Sequence, residues 1–228
     1  MRCTWKITLA LFFVACSSLM AQRFAIDASS IKVDRRFVKA PVFQAQQTYK
    51  SLSRPAHDVR WLQFLVTYTP ESGGKTTVWE DDLTVELTVL LPAKKGQGYG
   101  NTILLTGTQV YFSVPGDGKK HYVLFFVPPA VLTKYCSFTK YENSDISSNV
   151  YAAVVFRKGR SNQVLARAYA DMKGKSEADI SKIFSKYYKS KIGVMRLENG
   201  LLPKDKTPWQ WVDTDLFDFP KSMMEGKH

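Results

Sequence analysis

Leu83-Thr84-Val85-Glu86-Leu87-Thr88-Val89-Leu90-Leu91 is the stretch on which the fold turns. Successive side chains of an extended chain point to opposite faces, so Leu83, Val85, Leu87 and Val89 share one face and Thr84, Glu86 and Thr88 the other. That is the pattern of a half-buried antiparallel strand. It stops at Pro92, which has no N–H to give to a neighbouring strand. Upstream, Val59 to Thr69 alternates in the same way, with the more apolar set Leu62, Phe64, Val66 and Tyr68 expected to face a core. Ala25 to Val33 and Phe37 to Gln44 are further candidate strands around the basic run Lys32 to Arg36, and Ala45 to His57 is a mostly polar connection.

Downstream, strands are expected at Thr102 to Thr106, Thr108 to Val114 and His121 to Val127, the last two joined as a hairpin by Pro115-Gly116-Asp117-Gly118. Val150 to Phe156 and Gln163 to Tyr169 flank a second turn, Arg157 to Asn162. One segment changes period. Ile180, Ile183, Phe184 and Tyr187 recur at i, i+3, i+4 and i+7, and Ser176 with Asp179 resembles a capping box, so Glu177 to Lys189 is expected to be a helix. Val194 to Leu197 reads as a short strand ending at Asn199-Gly200. Many short strands with one late amphipathic helix specify a mainly β protein, an antiparallel β-sandwich of immunoglobulin-like type ahead of a partly open barrel. Trp61 is compatible with the core tryptophan of such sandwiches.

The N-terminus has the form of a secretory signal. Arg2 and Lys6 make a positive start, and Ile7 to Ala15 is an apolar run too short for a bilayer, which needs about 20 residues. Cleavage after Ala21 is the first choice and after Ser18 the second; a third possibility is that Phe13 to Cys16 acts as a lipobox. Residues 1–21 are thus a signal peptide and residues 22–228 one exported domain with no later membrane-spanning segment. Only Cys136 then remains of the three cysteines, so no internal disulfide can form. Removing Arg2 and Lys6 leaves 30 basic against 20 acidic residues, a balance that favours acidic partners through long-range attraction.

The inventory for catalysis is thin. His57, His121 and His228 have no spacing that puts two imidazoles together, and read as surface histidines. Ser72-Gly73-Gly74-Lys75-Thr76 lacks the earlier glycine of a phosphate-binding loop, because Thr69 stands there, and Gly96 to Gly100 fails the dinucleotide fingerprint. No Gly-x-Ser-x-Gly elbow occurs. The acidic groups Glu80-Asp81-Asp82 and Asp213, Asp215 and Asp218 match no calcium loop and read as solvated charge. The reading is therefore a protein that is not an enzyme, with no catalytic residues, metal or cofactor.

What stands out is basic residues interleaved with aromatics. Arg157, Lys158 and Arg160 lie on a turn, Lys182, Lys186 and Lys189 on the polar face of the helix, and Trp209 and Trp211 in the C-terminal tail. These are the candidate partner-binding residues. Export argues against nucleic acid, leaving an envelope or pilus protein, or an anionic polysaccharide or surface. With its leader, the Val59 to Tyr68 strand, the Leu83 to Leu91 strand and the Trp209/Trp211 tail, the chain resembles a small family of secreted verrucomicrobial proteins encoded beside type IV pilus genes. The resemblance implies an immunoglobulin-like fold and a role in pilus assembly or envelope structure. It carries over no functional residue. The expectation is a non-enzymatic extracytoplasmic interaction or structural module; the alternative is a secreted carbohydrate- or polyanion-binding module.

Overall fold

A computed structural model of the chain describes residues 23–41, 60–74, 76–95, 101–159, 161–170, 176–189, 193–213, 217–218 and 220–221. The expected leader, the 45–57 connection and Arg160 lie outside them. The chain is mainly β, with eleven named strands and three helices among the described residues. Its first strand, β1 (Phe24–Ile26), pairs with β4 (Pro70–Ser72) as a small ribbon. Asp27 then accepts from the Ser29 N–H and turns the chain through one 3-10 turn, Ala28–Ser30. As a result the basic run Lys32 to Arg36 does not separate two strands. It lies inside β2 (Lys32–Lys39).

Four strands form one sheet in the order β11-β7-β3-β2, with β3 spanning Arg60–Tyr68, β7 His121–Val127 and β11 Leu202–Pro203. The other sheet runs β10-β6-β5-β8-β9, with β5 at Trp79–Pro92, β6 at Thr102–Pro115, β8 at Tyr151–Arg157, β9 at Val164–Tyr169 and β10 at Val194–Leu197. In chain order, β2-β3-β7 facing β9-β8-β5-β6 coincides with the A-B-E and G-F-C-C′ orders of immunoglobulin-type sandwiches. Between the sheets lie Leu62, Phe64, Val66 and Tyr68 of β3 and Leu83, Val85, Leu87 and Val89 of β5, all fully buried in one cluster. Both alternations therefore face the core as the sequence demands. The protein is a β-sandwich.

Three expectations change. Thr102 to Val114 is one continuous strand, because Gly107 is not a turn: a Cβ there would stand 2.9 Å from the Leu201 carbonyl oxygen and 3.1 Å from the Phe125 ring. The Pro115 to Gly118 segment is not a hairpin either, since β6 and β7 belong to different sheets. Its backbone is held by neighbours outside β6 and β7: Gly116 N–H donates to Val78 O at 2.8 Å, and Gly118 N–H to Pro70 O at 2.9 Å. Two short helices also join the late one, α1 (Pro129–Tyr135) and α2 (Asn143–Asn149). Seven residues make two turns, too few to register as a period.

Both sheets carry a second apolar layer on their outer faces. Helix α3 (Glu177–Lys189), with the expected bounds, buries Ile180 and Phe184 against Leu90, Leu104 and Ala153 of the five-stranded sheet. The C-terminal segment covers the four-stranded sheet by packing Trp209 on Leu124 and Phe126, beside Trp61 and Leu65. Trp61 is thus not in the inter-sheet core. It stands on the outer face of β3, on the opposite side from Leu62.

Candidate functional site

Helix α3 presents the clearest candidate surface. Ser176 Oγ accepts from Asp179 N–H at 3.2 Å while the Asp179 carboxylate accepts from Ser176 N–H at 3.3 Å, so Asp completes a reciprocal capping box. The last turn is tied down as well: Tyr188 and Thr88 hydroxyls meet at 2.8 Å, and Arg196 donates to the Tyr188 carbonyl at 2.9 Å. With Ile180 and Phe184 turned to the sheet, Lys182, Lys186 and Lys189 fall at i, i+4 and i+7 on the far side, and all three are exposed. None forms an ion pair with a described residue.

The basic turn is organised differently. Arg157 Nε lies 4.0 Å from Glu86 and Lys158 Nζ 3.3 Å from Glu80, whose side chain is only 7% exposed. Gly159 allows this close approach, since a Cβ would stand 2.4 Å from the Asp81 carbonyl oxygen. The turn leans on the Asp82 end of β5, whereas α3 covers its Leu90 end, so the two basic groups do not converge. The two tryptophans are separated too. Trp209 stacks on Phe126 at 4.2 Å and meets Trp61 edge-on at 5.2 Å, leaving it 9% exposed, while Trp211 is 69% exposed.

A polar cluster that sequence reasoning missed lies where the C-terminal segment meets the start of β7. Nδ1 of His121 stands 2.8 and 2.9 Å from the two carboxylate oxygens of Asp218, and Nε2 stands 3.1 Å from Asp117. Tyr68 donates its hydroxyl to Asp218 at 2.9 Å. Both ring nitrogens face carboxylates, and only the imidazolium can donate from both. Burial would lower the His121 pKa, yet Asp218 and then Asp117 outweigh it and raise it above its ordinary value. His121 and Asp218 are therefore not surface charges but a clamp, their side chains 11% and 10% exposed. The only local sign was Asp117 four residues before His121; Asp218 lies 97 residues away.

Glu80, Asp81 and Asp82 are likewise engaged rather than merely solvated, with Lys158, Ser113 and Lys221 respectively. Cys136 is fully buried, and burial, opposed by Lys94, pushes its thiol up to about 12, so it offers no thiolate at neutral pH. Among the described residues no group of three or more His, Cys, Asp or Glu side chains is arranged to hold a metal ion, and no helix of the described residues is long and apolar enough to cross a membrane.

The architecture has a solved counterpart. A crystal structure of a protein from Akkermansia muciniphila superposes with a TM-score of 0.61 at 16% identity, covering 88% of this chain and 94% of that one. At that identity the likeness establishes the shared fold. No curated protein matches the sequence. A family model does, over residues 17–223, and with nearly the whole chain matched the protein belongs to that family.

Proposed function

We propose that the protein is a non-enzymatic docking module of the cell envelope, exported and associated with pilus assembly, built on an immunoglobulin-like sandwich. The observation that carries this reading is the unpaired lysine stripe of α3, exposed at Lys182, Lys186 and Lys189 while the other described basic candidates are drawn into ion pairs. A rigid helix displaying three cations on a chain of net positive charge fits an acidic partner protein or envelope surface. Support for the pilus setting comes from the resemblance of the leader, the two strands and the tail to secreted verrucomicrobial proteins encoded beside pilus genes. Trp211, exposed beyond the buried Trp209, adds an apolar contact of the kind protein interfaces use.

The test is co-sedimentation of purified protein with isolated cell envelopes across a salt series. Exposed pairs contribute about 0–1 kcal/mol each and are screened over roughly 8 Å at physiological salt. Binding should weaken as salt rises, and changing Lys182, Lys186 and Lys189 together to Gln should remove most of that dependence. Binding insensitive both to salt and to the triple change would refute the electrostatic surface and move the contact to Trp211.

A further inference from the structure

The C-terminal segment does not lie flush on the four-stranded sheet. Between it and strands β2, β3 and β7 is a groove of about 290 Å³, near the lower end of the range for small-molecule sites. One ring-sized ligand fits such a space better than a chain. Its apolar walls include Leu124 and Trp209, and Tyr122 and Phe217 stand within it 6.5 Å apart.

The polar groups of the groove are mostly donors. Arg36 gives its Nε to Gln63 Oε1 at 2.5 Å, which leaves the terminal guanidinium nitrogens for a ligand. Gln63 is 5% exposed as a whole residue and its oxygen is taken by Arg36, but its amide nitrogen is not a buried orphan: it reaches solvent where the side chain lines the groove, so its N–H groups are open to a ligand there. Lys204 holds its ammonium 4.5 Å from the Phe217 ring centroid and makes one long hydrogen bond, 3.4 Å to the Gln210 carbonyl. Burial lowers the Lys204 pKa despite Asp213 and Asp205, which is the situation an added anion relieves. Asp213 is the one carboxylate of the lining among the described residues.

The geometry points to a binding site for a single carboxylate-bearing sugar unit, with Arg36, Lys204 and the Gln63 amide receiving its carboxylate and Asp213 accepting from a hydroxyl. Aromatic walls suit the C–H face of a sugar ring, and two cations over one carboxylate select an acidic sugar against a neutral one. This moves carbohydrate binding away from the tryptophan pair: Trp209 contributes as a wall of the groove, and Trp211 is not part of it. The site is on the opposite sheet from α3, so it stands or falls independently of the docking surface.

Free glucuronate is the probe, glucose the neutral control, and the indole N–H resonance of Trp209 in the full chain the readout. Glucuronate should shift that resonance saturably in the millimolar range, glucose should not, and Arg36→Gln should weaken binding about tenfold or more. Arg36 is exposed, so the fold should survive; Lys204→Gln is the second variant should β2 be disturbed. A glucuronate oligosaccharide distinguishes a terminal glycan unit from the free sugar, and binding of either form supports the site. Absence of saturable binding for both, equal shifts with glucose, or undiminished affinity in both folded variants would overturn it.

Discussion

His121 holds together two parts of the chain that no local sequence pattern connects. It titrates above its usual value of about 6.5, so its stabilising charge is fully present below that pH and is lost as pH rises through the folded-state value. Asp117 titrates below its ordinary range: burial acts against this, but the Lys119 N–H and then His121 outweigh it, so its contribution is present above about 3.9 and is lost on acidification through the lowered value. The clamp is therefore strongest between these limits. Stability should fall as pH rises above about 6.5 toward 9, a range in which Tyr68, whose pKa burial and Asp218 raise, stays protonated. His121→Gln should flatten that alkaline limb in melts taken across pH. An unchanged slope would show that the imidazole is not charged in the native state.

Among the elements, legibility followed periodicity. Leu83 to Leu91 and the Ile180, Ile183, Phe184, Tyr187 set were readable because each is long enough to repeat its period several times. Helices α1 and α2 were not, and Gly107 misled because a glycine inside a strand and a glycine in a turn look alike in sequence. What distinguishes them is tertiary: on β6 the Leu201 carbonyl and Phe125 approach the backbone so closely that no side chain fits. Gly107→Ala should accordingly cost about 1–3 kcal/mol through overpacking, although alanine is otherwise harmless in a strand. Chemical denaturation measures it, and a neutral result would mean that the 200–203 crossing can shift aside. The candidate lysines were legible as one helical stripe. Which arginines and lysines were already paired was not, because Glu86 and Glu80 reach them from a strand some 70 residues earlier.

Seen as a whole, the described residues stack apolar layers with no disulfide among them: an inter-sheet core, α3 outside one sheet and the C-terminal segment outside the other. Alternation reports only that a strand has an apolar side, so the inner layer could be read from the strands, whereas the covering of their outer faces could not. Trp61 and Gln63 illustrate why, lying on the polar side of β3's pattern yet covered by a segment about 150 residues downstream. The outer layer differs from the inner in how it is held. Trp209 on Phe126 and Trp61 is its largest apolar anchor, with the His121 clamp beyond it. Removing that anchor should loosen the segment while leaving the inner core paired, because Leu62, Phe64 and their partners touch the other sheet instead. Trp209→Ala should therefore cost about 3–5 kcal/mol at most and speed amide exchange in residues 204–213 far more than in β5 or β6. Uniform acceleration throughout both sheets would mean that the outer layer is one cooperative unit with the core, and unchanged exchange in residues 204–213 would mean that Trp209 anchors nothing.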